Sequence, residues 1–215
     1  MIQCVVFDFD GTLVLSNAIK REAFFFIATK FEQGVDRMTI LLDQDSGDRS
    51  SIIQRFAEET GCVCQCDELV AEYSKYVHNG ILSCQDREGA IEILSQLRHS
   101  SIPAYVNSAT PQNNLEASIR ERYPAGTFQG VYGGSNSKFR NLKAISAHAA
   151  VAPEEIVMVG DGIDDANAAE AFGCAFVGVA GGGLERRVGS SQLSENLTDI
   201  AVLLGSAQRG VINHE

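Results

Sequence analysis

Positive charge is what this sequence has least of. Across 215 residues it carries 17 Lys and Arg against 28 Asp and Glu, a formal net charge of −11, and nowhere do the basic residues gather into a stripe. Nucleic acid and anionic membrane surfaces are therefore poor partners. Long apolar runs are also missing: stretches such as Ala23 to Ala28 fall far short of the roughly 20 residues a spanning helix needs. The start, Met1-Ile2-Gln3, lacks the basic character of a secretion signal, so the expectation is a cytoplasmic protein whose six cysteines are reduced thiols. There is no internal repeat. Histidine is scarce as well, and His78, His99, His148 and His214 all lie away from the acidic motifs below, so none is needed as a catalytic acid or base.

What is present describes a packed protein. A composition 45% hydrophobic and 21% charged excludes disorder. At roughly 150 residues per domain the length allows one domain with a sizeable insert, or two small ones.

Ile2 to Phe9 is a short run rich in β-branched residues, too short for a helix, and it predicts a buried strand. Ile102 to Val106, Ile156 to Val159 and Cys174 to Val179 resemble it, with Val131-Tyr132 as a further short strand. Helical stretches separate them, and their apolar positions, Leu94, Leu97, Ile119, Leu142, Ile145 and Ala166 to Phe172, would press onto a sheet. Strands alternating with helices predict an α/β fold with a parallel sheet, Rossmann-like. Residues 16–82 break the alternation with helix-like periodicity punctuated by Gly34, Gly47 and Gly61. They form an inserted helical subdomain, leaving 1–15 and 83–215 as the core. A helix is also expected at Asn196 to Leu204.

Asp8 and Asp10 stand where the first strand ends, and a two-residue period turns both carboxylates the same way. The carboxyl end of a parallel strand is where open α/β sheets bind ligands. Gly11 permits a sharp turn, and Thr12 adds a hydroxyl. Asp161 and Asp165, in Val-Gly-Asp-Gly-Ile-Asp-Asp, end another strand. Acids packed this closely repel one another unless a cation joins them, and a hard divalent ion, Mg²⁺, is the economical answer. Ser108 follows a strand, and Thr110-Pro111 reads as an N-cap with proline at the first helical position, so a hydroxyl and free backbone N–H groups offer an anion site. Lys138 opens a helix, where a cation opposes the macrodipole. Such a placement points to function, with Lys143 as its rival. Cys62, Cys64 and Cys66 alternate without a second ligand pair, a spacing that fits ordinary thiols better than zinc.

These blocks, in this order, resemble the haloacid dehalogenase-type superfamily of phosphotransferases. Asp8-Phe9-Asp10-Gly11-Thr12 matches its first motif, Ser108 its second, Lys138 its third and Gly160-Asp161-Gly162-Ile163-Asp164-Asp165 its fourth. The insert resembles the helical cap of the phosphoglycolate phosphatase and β-phosphoglucomutase branch. The resemblance implies that Asp8 attacks phosphorus to give an aspartyl-phosphate, while Asp10 protonates the leaving oxygen and later activates water. It further implies Mg²⁺ held by Asp8, the Asp10 carbonyl and Asp161, with Asp165 positioning that shell. Ser108, Ala109, Thr12 and Lys138 would clamp the phosphoryl group. Leu15 departs from the pattern, standing where many phosphoglycolate phosphatase-like members carry an acid.

The implied function is a Mg²⁺-dependent phosphomonoester hydrolase acting on a small phosphorylated metabolite. A phosphosugar mutase with the same motifs, or a phosphorylatable receiver without turnover, are the alternatives. In the insert, Gly47-Asp48-Arg49 opens a helix running to Glu59. Arg49 is the candidate for gripping the substrate's leaving group through its planar fork, with Arg21 and Lys20 as substitutes.

Overall fold

The structure is a computed structural model that describes residues 1–44, 49–185, 189 and 193–200. The chain divides into two compact units, Met1–Leu15 with Cys84–Glu215, and Ser16–Ser83. Ser83, expected in the core, instead closes the last helix of the second unit.

The first unit is built on a parallel sheet of five strands: β1 (Cys4–Phe7), β2 (Ala104–Asn107), β3 (Gly130–Tyr132), β4 (Ile156–Gly160) and β5 (Ala175–Gly178), in the order β3-β2-β1-β4-β5. The helices are α5 (Ala90–His99), α6 (Gln112–Arg122), α7 (Lys138–Ala149) and α8 (Ile163–Phe172), completing the α/β Rossmann-like architecture the sequence predicts. The order reverses direction at β1, so the carboxyl ends of β1, β2 and β4 meet at a topological switch point. Register follows from Val5 opposite both Ala104 and Val157.

All four residues of β1 and all five of β4 are buried, because both faces of a parallel sheet must be covered. On one face Cys4, Val6, Met158 and Tyr105 pack with Leu142 and Ile145 of α7 and Ala168 and Ala169 of α8. Each large side chain so removed from water stabilises the fold by about 1.5–3 kcal/mol. Ile119 is only half-buried. The buried positions of α6 are Leu115 and Ser118.

Strand β1 is shorter than the apolar run predicts, because the chain turns immediately after it. The Leu13 and Val14 N–H groups both donate to the Phe9 carbonyl, at 2.9 and 3.1 Å, and the Gly11 N–H donates to the Val14 carbonyl at 2.8 Å. This curl requires Gly11 at φ 79°, a conformation a side chain disfavours.

The second unit holds α1 (Asn17–Ala28), α2 (Gly34–Asp43), α3 (Arg49–Thr60) and α4 (Cys66–Ser83). Ala23, Phe24, Ile27 and Ala28 form the buried stripe of α1, at the spacing of a single helical face. Phe24 meets Tyr73 of α4 with ring centroids 4.6 Å apart, and Phe31 meets Phe56 of α3 edge-on at 5.5 Å. Cys62 is buried with its thiol 2.9 Å from the Thr60 hydroxyl, Cys64 is exposed and Cys66 half-buried. The three sulfurs form no metal-ligand cluster among the described residues. Gly47 and Asp48, read as opening α3, and residues 201–204 of the expected terminal helix lie outside the described residues. None of the described helices is long and apolar enough to cross a membrane.

Candidate active site

Four segments of the first unit converge where β1, β2 and β4 end. Asp8, Asp10, Asp161 and Asp165 are 4, 3, 5 and 0% exposed, so the acids occupy a setting where uncompensated charge is costly. Carboxylate oxygens of Asp8, Asp161 and Asp165 all lie within 4.8 Å of one another. Thr12, fully buried, donates its hydroxyl to Asp161 Oδ1 at 3.3 Å, joining the first acidic segment to the last.

Lys138 is drawn in by this charge. Its Nζ lies 2.5 Å from Asp165 Oδ1, 3.1 Å from Asp164 Oδ2 and 3.3 Å from Asp8 Oδ1. Burial works against its charge, yet Asp8, Asp165 and Asp164 together push its pKa well above 10.5, so it stays an ammonium. Lys143, the alternative candidate, lies over the Phe139 ring, 4.6 Å from its centroid. Asp164, assigned no role from the sequence, joins the ammonium's partners.

Burial pushes the Asp8 carboxyl well above 3.8; Lys138 opposes this, while Asp165, Asp161 and Asp10 reinforce it. Asp8 Oδ1 is buried and accepts no hydrogen bond, its nearby cation being held mainly by Asp165. A buried carboxylate oxygen that accepts no hydrogen bond, within an acidic triad, fits a hard divalent cation with oxygen ligands. Asp165 is placed differently: Oδ1 accepts from Lys138 and Oδ2 from the Gly162 N–H at 3.0 Å. Both oxygens already have donors, so its geometry suits orienting Lys138 and the Gly162 turn. Burial raises its pKa to about 6, with Lys138 pulling the other way. Asp165 also packs directly on Gly160, where an added Cβ would stand 2.4 Å from the carboxyl carbon.

Ser108 is 2% exposed and Ala109, beside it, is exposed. The segment that follows corrects the sequence reading. Helix α6 begins at Gln112, Pro111 itself is the N-cap at φ −52°, ψ 139°, and Thr110 caps nothing. Its hydroxyl instead donates to Asp10 Oδ2 at 2.5 Å, and its N–H donates to Ser108 Oγ at 3.2 Å. Local capping rules gave way to a partner 100 positions away in sequence.

Two further supports escaped the sequence. Asn107 donates to the Lys138 carbonyl at 3.0 Å and accepts from Asn141, whose amide also donates to the Gly133 carbonyl at 3.1 Å. Arg87, 7% exposed, directs its guanidinium at the carbonyls of Gly11, Ala180 (2.8 Å) and Glu195 (2.8 Å). Nothing in Asp86-Arg87-Glu88-Gly89 announces the Arg87 arrangement, since its acceptors are backbone atoms far along the chain.

Arg49 belongs to the other unit, where its guanidinium lies 5.6 Å from the Tyr73 ring centroid and its buried Nε has no hydrogen-bond partner. Of its substitutes, Arg21 lies over Phe25, and Lys20 stands in the first turn of the same helix.

A profile of the family described as haloacid dehalogenase-like hydrolase matches residues 5–179. No curated protein matches the chain in sequence. Among solved structures it is similar to a predicted phosphoglycolate phosphatase from Haemophilus somnus, with 16% identity, 94% of this chain and 98% of that chain covered, and a TM-score of 0.76. A mutant of CbbY from Rhodobacter sphaeroides in complex with xylulose-(1,5)-bisphosphate is similar at 18% identity, 93% and 96% coverage and a TM-score of 0.72. The β-phosphoglucomutase of Clostridium difficile is similar at 14% identity, 99% and 100% coverage and a TM-score of 0.70. At such identities the likeness is one of fold.

Proposed function

The chain belongs to the haloacid dehalogenase-like hydrolases, and from that premise we propose that it hydrolyses the phosphomonoester of a small phosphorylated metabolite through an aspartyl-phosphate on Asp8. The observation that carries this reading is the state of Asp8: a buried carboxylate with one oxygen free of hydrogen bonds, 3.3 Å from the Lys138 ammonium. A nucleophile must keep a lone pair uncommitted, and an adjacent cation favours its charged form. The similar structures bind or are named for phosphorylated small molecules, which supports the same substrate class here.

Asp8, Asp161 and the Asp10 carbonyl would hold Mg²⁺, with Asp165 fixing their surroundings. Bound there, the ion supplies charge against the phosphoryl oxygens and keeps Asp8 ionised. Lys138, Ser108 and the Ala109 N–H hold the oxygens of the transferring group, cation and donors set in place beforehand, whereas Thr12, expected from the sequence to join them, is fully buried and gives its hydroxyl to Asp161 Oδ1. Asp10 gives its proton to the ester oxygen as the bond to phosphorus breaks, then takes one from the water that attacks the aspartyl-phosphate.

A screen of phosphorylated metabolites with Mg²⁺, reading released phosphate, tests the proposal, and product analysis on hexose phosphates distinguishes a mutase, which would leave phosphate on the sugar. Asp8→Asn should abolish turnover in a folded protein. Steady-state hydrolysis by that variant would remove Asp8 as nucleophile.

A further inference from the structure

We propose that Gly133 and Gly134 are positioning residues of the phosphate cradle: by lacking side chains they let the loop leading to Lys138 lie directly on the backbone of Ser108 to Gln112. The inference rests on the phosphomonoesterase reading above. Neither residue adopts the left-handed conformation that favours glycine, whereas Gly126, in the turn before β3, does so at φ 81° and has open space where a Cβ would stand. Conformation therefore accounts for Gly126, and contact for the other two. A Cβ on Gly133 would stand 2.7 Å from the Gln112 Cα and 2.8 Å from both the Gln112 nitrogen and the Thr110 carbonyl oxygen, while one on Gly134 would overlap the Ala109 carbonyl oxygen. These are backbone atoms, which cannot rotate aside as the end of a flexible side chain would.

Hydrogen bonds close the same seam. The Ser108 N–H donates to the Tyr132 carbonyl and the Gly134 N–H to the Thr110 carbonyl, both at 2.9 Å. The Gly133 N–H donates to Gln112 Oε1 at 2.5 Å, and Gln112 Nε2 donates on to the Val131 carbonyl at 2.9 Å. Both side chains proposed to hold the phosphoryl oxygens are set from here. The Ala109 carbonyl shares a rigid peptide plane with the Thr110 N–H, which donates to Ser108 Oγ at 3.2 Å, so pushing that carbonyl withdraws a donor from the Ser108 hydroxyl. The Gly133 carbonyl accepts from Asn141, which holds Asn107 and through it the Lys138 carbonyl. Gly134 thus bears on Ser108, and Gly133 on Lys138.

Inorganic phosphate is the probe, its affinity read by calorimetry on the Mg²⁺-loaded protein, with Mg²⁺ affinity measured separately in phosphate-free buffer. Gly134→Ala should weaken phosphate about 10-fold or more, the scale of one hydrogen bond to a charged group. Its Mg²⁺ affinity should be unchanged, because Asp8 and Asp161 stand at the ends of β1 and β4. Gly126→Ala, strained in its backbone but meeting nothing, should lower the urea midpoint and leave both affinities as they are. Gln112→Met removes the acceptor for Gly133 without adding bulk, and decides the matter if alanine at position 134 prevents folding. It should weaken phosphate about 3-fold, again without effect on Mg²⁺. Unaltered phosphate affinity in either folded variant, parallel loss of both ligands, or an equal loss in Gly126→Ala would overturn the proposal. Failure of the Mg²⁺-loaded parent protein to bind phosphate would instead refute the phosphomonoesterase reading, and the role of the glycines with it.

Discussion

Asn141 reaches across 34 residues of sequence to donate its side-chain amide to Asn107 at 3.0 Å, and Asn107 in turn holds the carbonyl of Lys138 at 3.0 Å. Both amides are buried. The first residue of α7, whose side chain enters the acidic cluster, is thereby pegged to the end of β2. Asn141→Leu removes the donor for Asn107 Oδ1 and for the Gly133 carbonyl, leaving buried acceptors unmet. A loss of about 1–3 kcal/mol in urea unfolding is expected, together with a lower kcat, because Lys138 loses its support. Unchanged values on both measures would show the peg to be dispensable.

This pair illustrates what the sequence could disclose. Strand β1 and the acids after it were legible because a β-branched run followed by Asp-x-Asp-Gly is a local pattern, as is the strand before Asp161. Periodicity likewise marked residues 16–82 as helical. The limits of β1 were not legible: Asp8 and Phe9 continue the run, yet beyond Phe7 the Asp8 N–H still donates to the Val159 carbonyl of β4 at 2.8 Å while the Phe9 carbonyl is taken by the Leu13 and Val14 N–H groups of the turn. Thr110 was misread because a serine or threonine before proline satisfies a capping rule locally, and only the fold brings Asp10 within reach. Arg87 carries no sequence signal, since its acceptors are carbonyls at positions 11, 180 and 195.

Metal binding should depend on pH in a direction set by the acidic cluster. Asp165 is raised to about 6, and Asp8 is also raised well above 3.8. Both carboxyls keep protons in the folded metal-free chain at pH values where the unfolded chain has released them. The folded state therefore binds more protons, and the stability these groups contribute is present below pH 3.8 and is lost, for Asp165, as pH rises to about 6. A cation needs the deprotonated ligands and offsets their repulsion. The rise in Tm on adding Mg²⁺ should accordingly be larger at about pH 7.5 than at about pH 5. An equal or larger rise at the acidic value would contradict the assignment.

Arg87 should be among the costliest surface-to-core tethers to remove. Its guanidinium serves three carbonyls from separate loops, one of them in the Gly11 turn beside Asp10. Arg87→Met keeps much of the stem and strips the donors, so about 3 kcal/mol or more of stability should be lost. Lysine should restore only part, since a single ammonium cannot reproduce the planar fork. Urea midpoints at constant m-value measure both variants. Full recovery with lysine would mean that charge alone, without the fork, holds these loops.

Arg49 offers a test that divides substrate binding from support of the helical unit. Its place over Tyr73 is a cation–π contact within that unit, worth about 0.5–1 kcal/mol at a partly exposed site. Its Nε is buried without a hydrogen-bond partner, so the donors with which it would grip an anionic or hydroxyl-rich leaving group are those on its terminal nitrogens. If the residue holds the remote part of the substrate, Arg49→Ala should reduce kcat/KM for the metabolite found by screening by about 1–3 kcal/mol. An aryl phosphate offers no such group, so its kcat/KM should change far less. Arg49→Lys preserves charge without the fork and should remain impaired on the metabolite. Thermal unfolding of the same variants measures the Tyr73 contact separately. Equal losses on metabolite and aryl phosphate, tracking the drop in Tm, would make Arg49 a structural residue of α3, whereas a selective loss at nearly unchanged Tm assigns it to the leaving group.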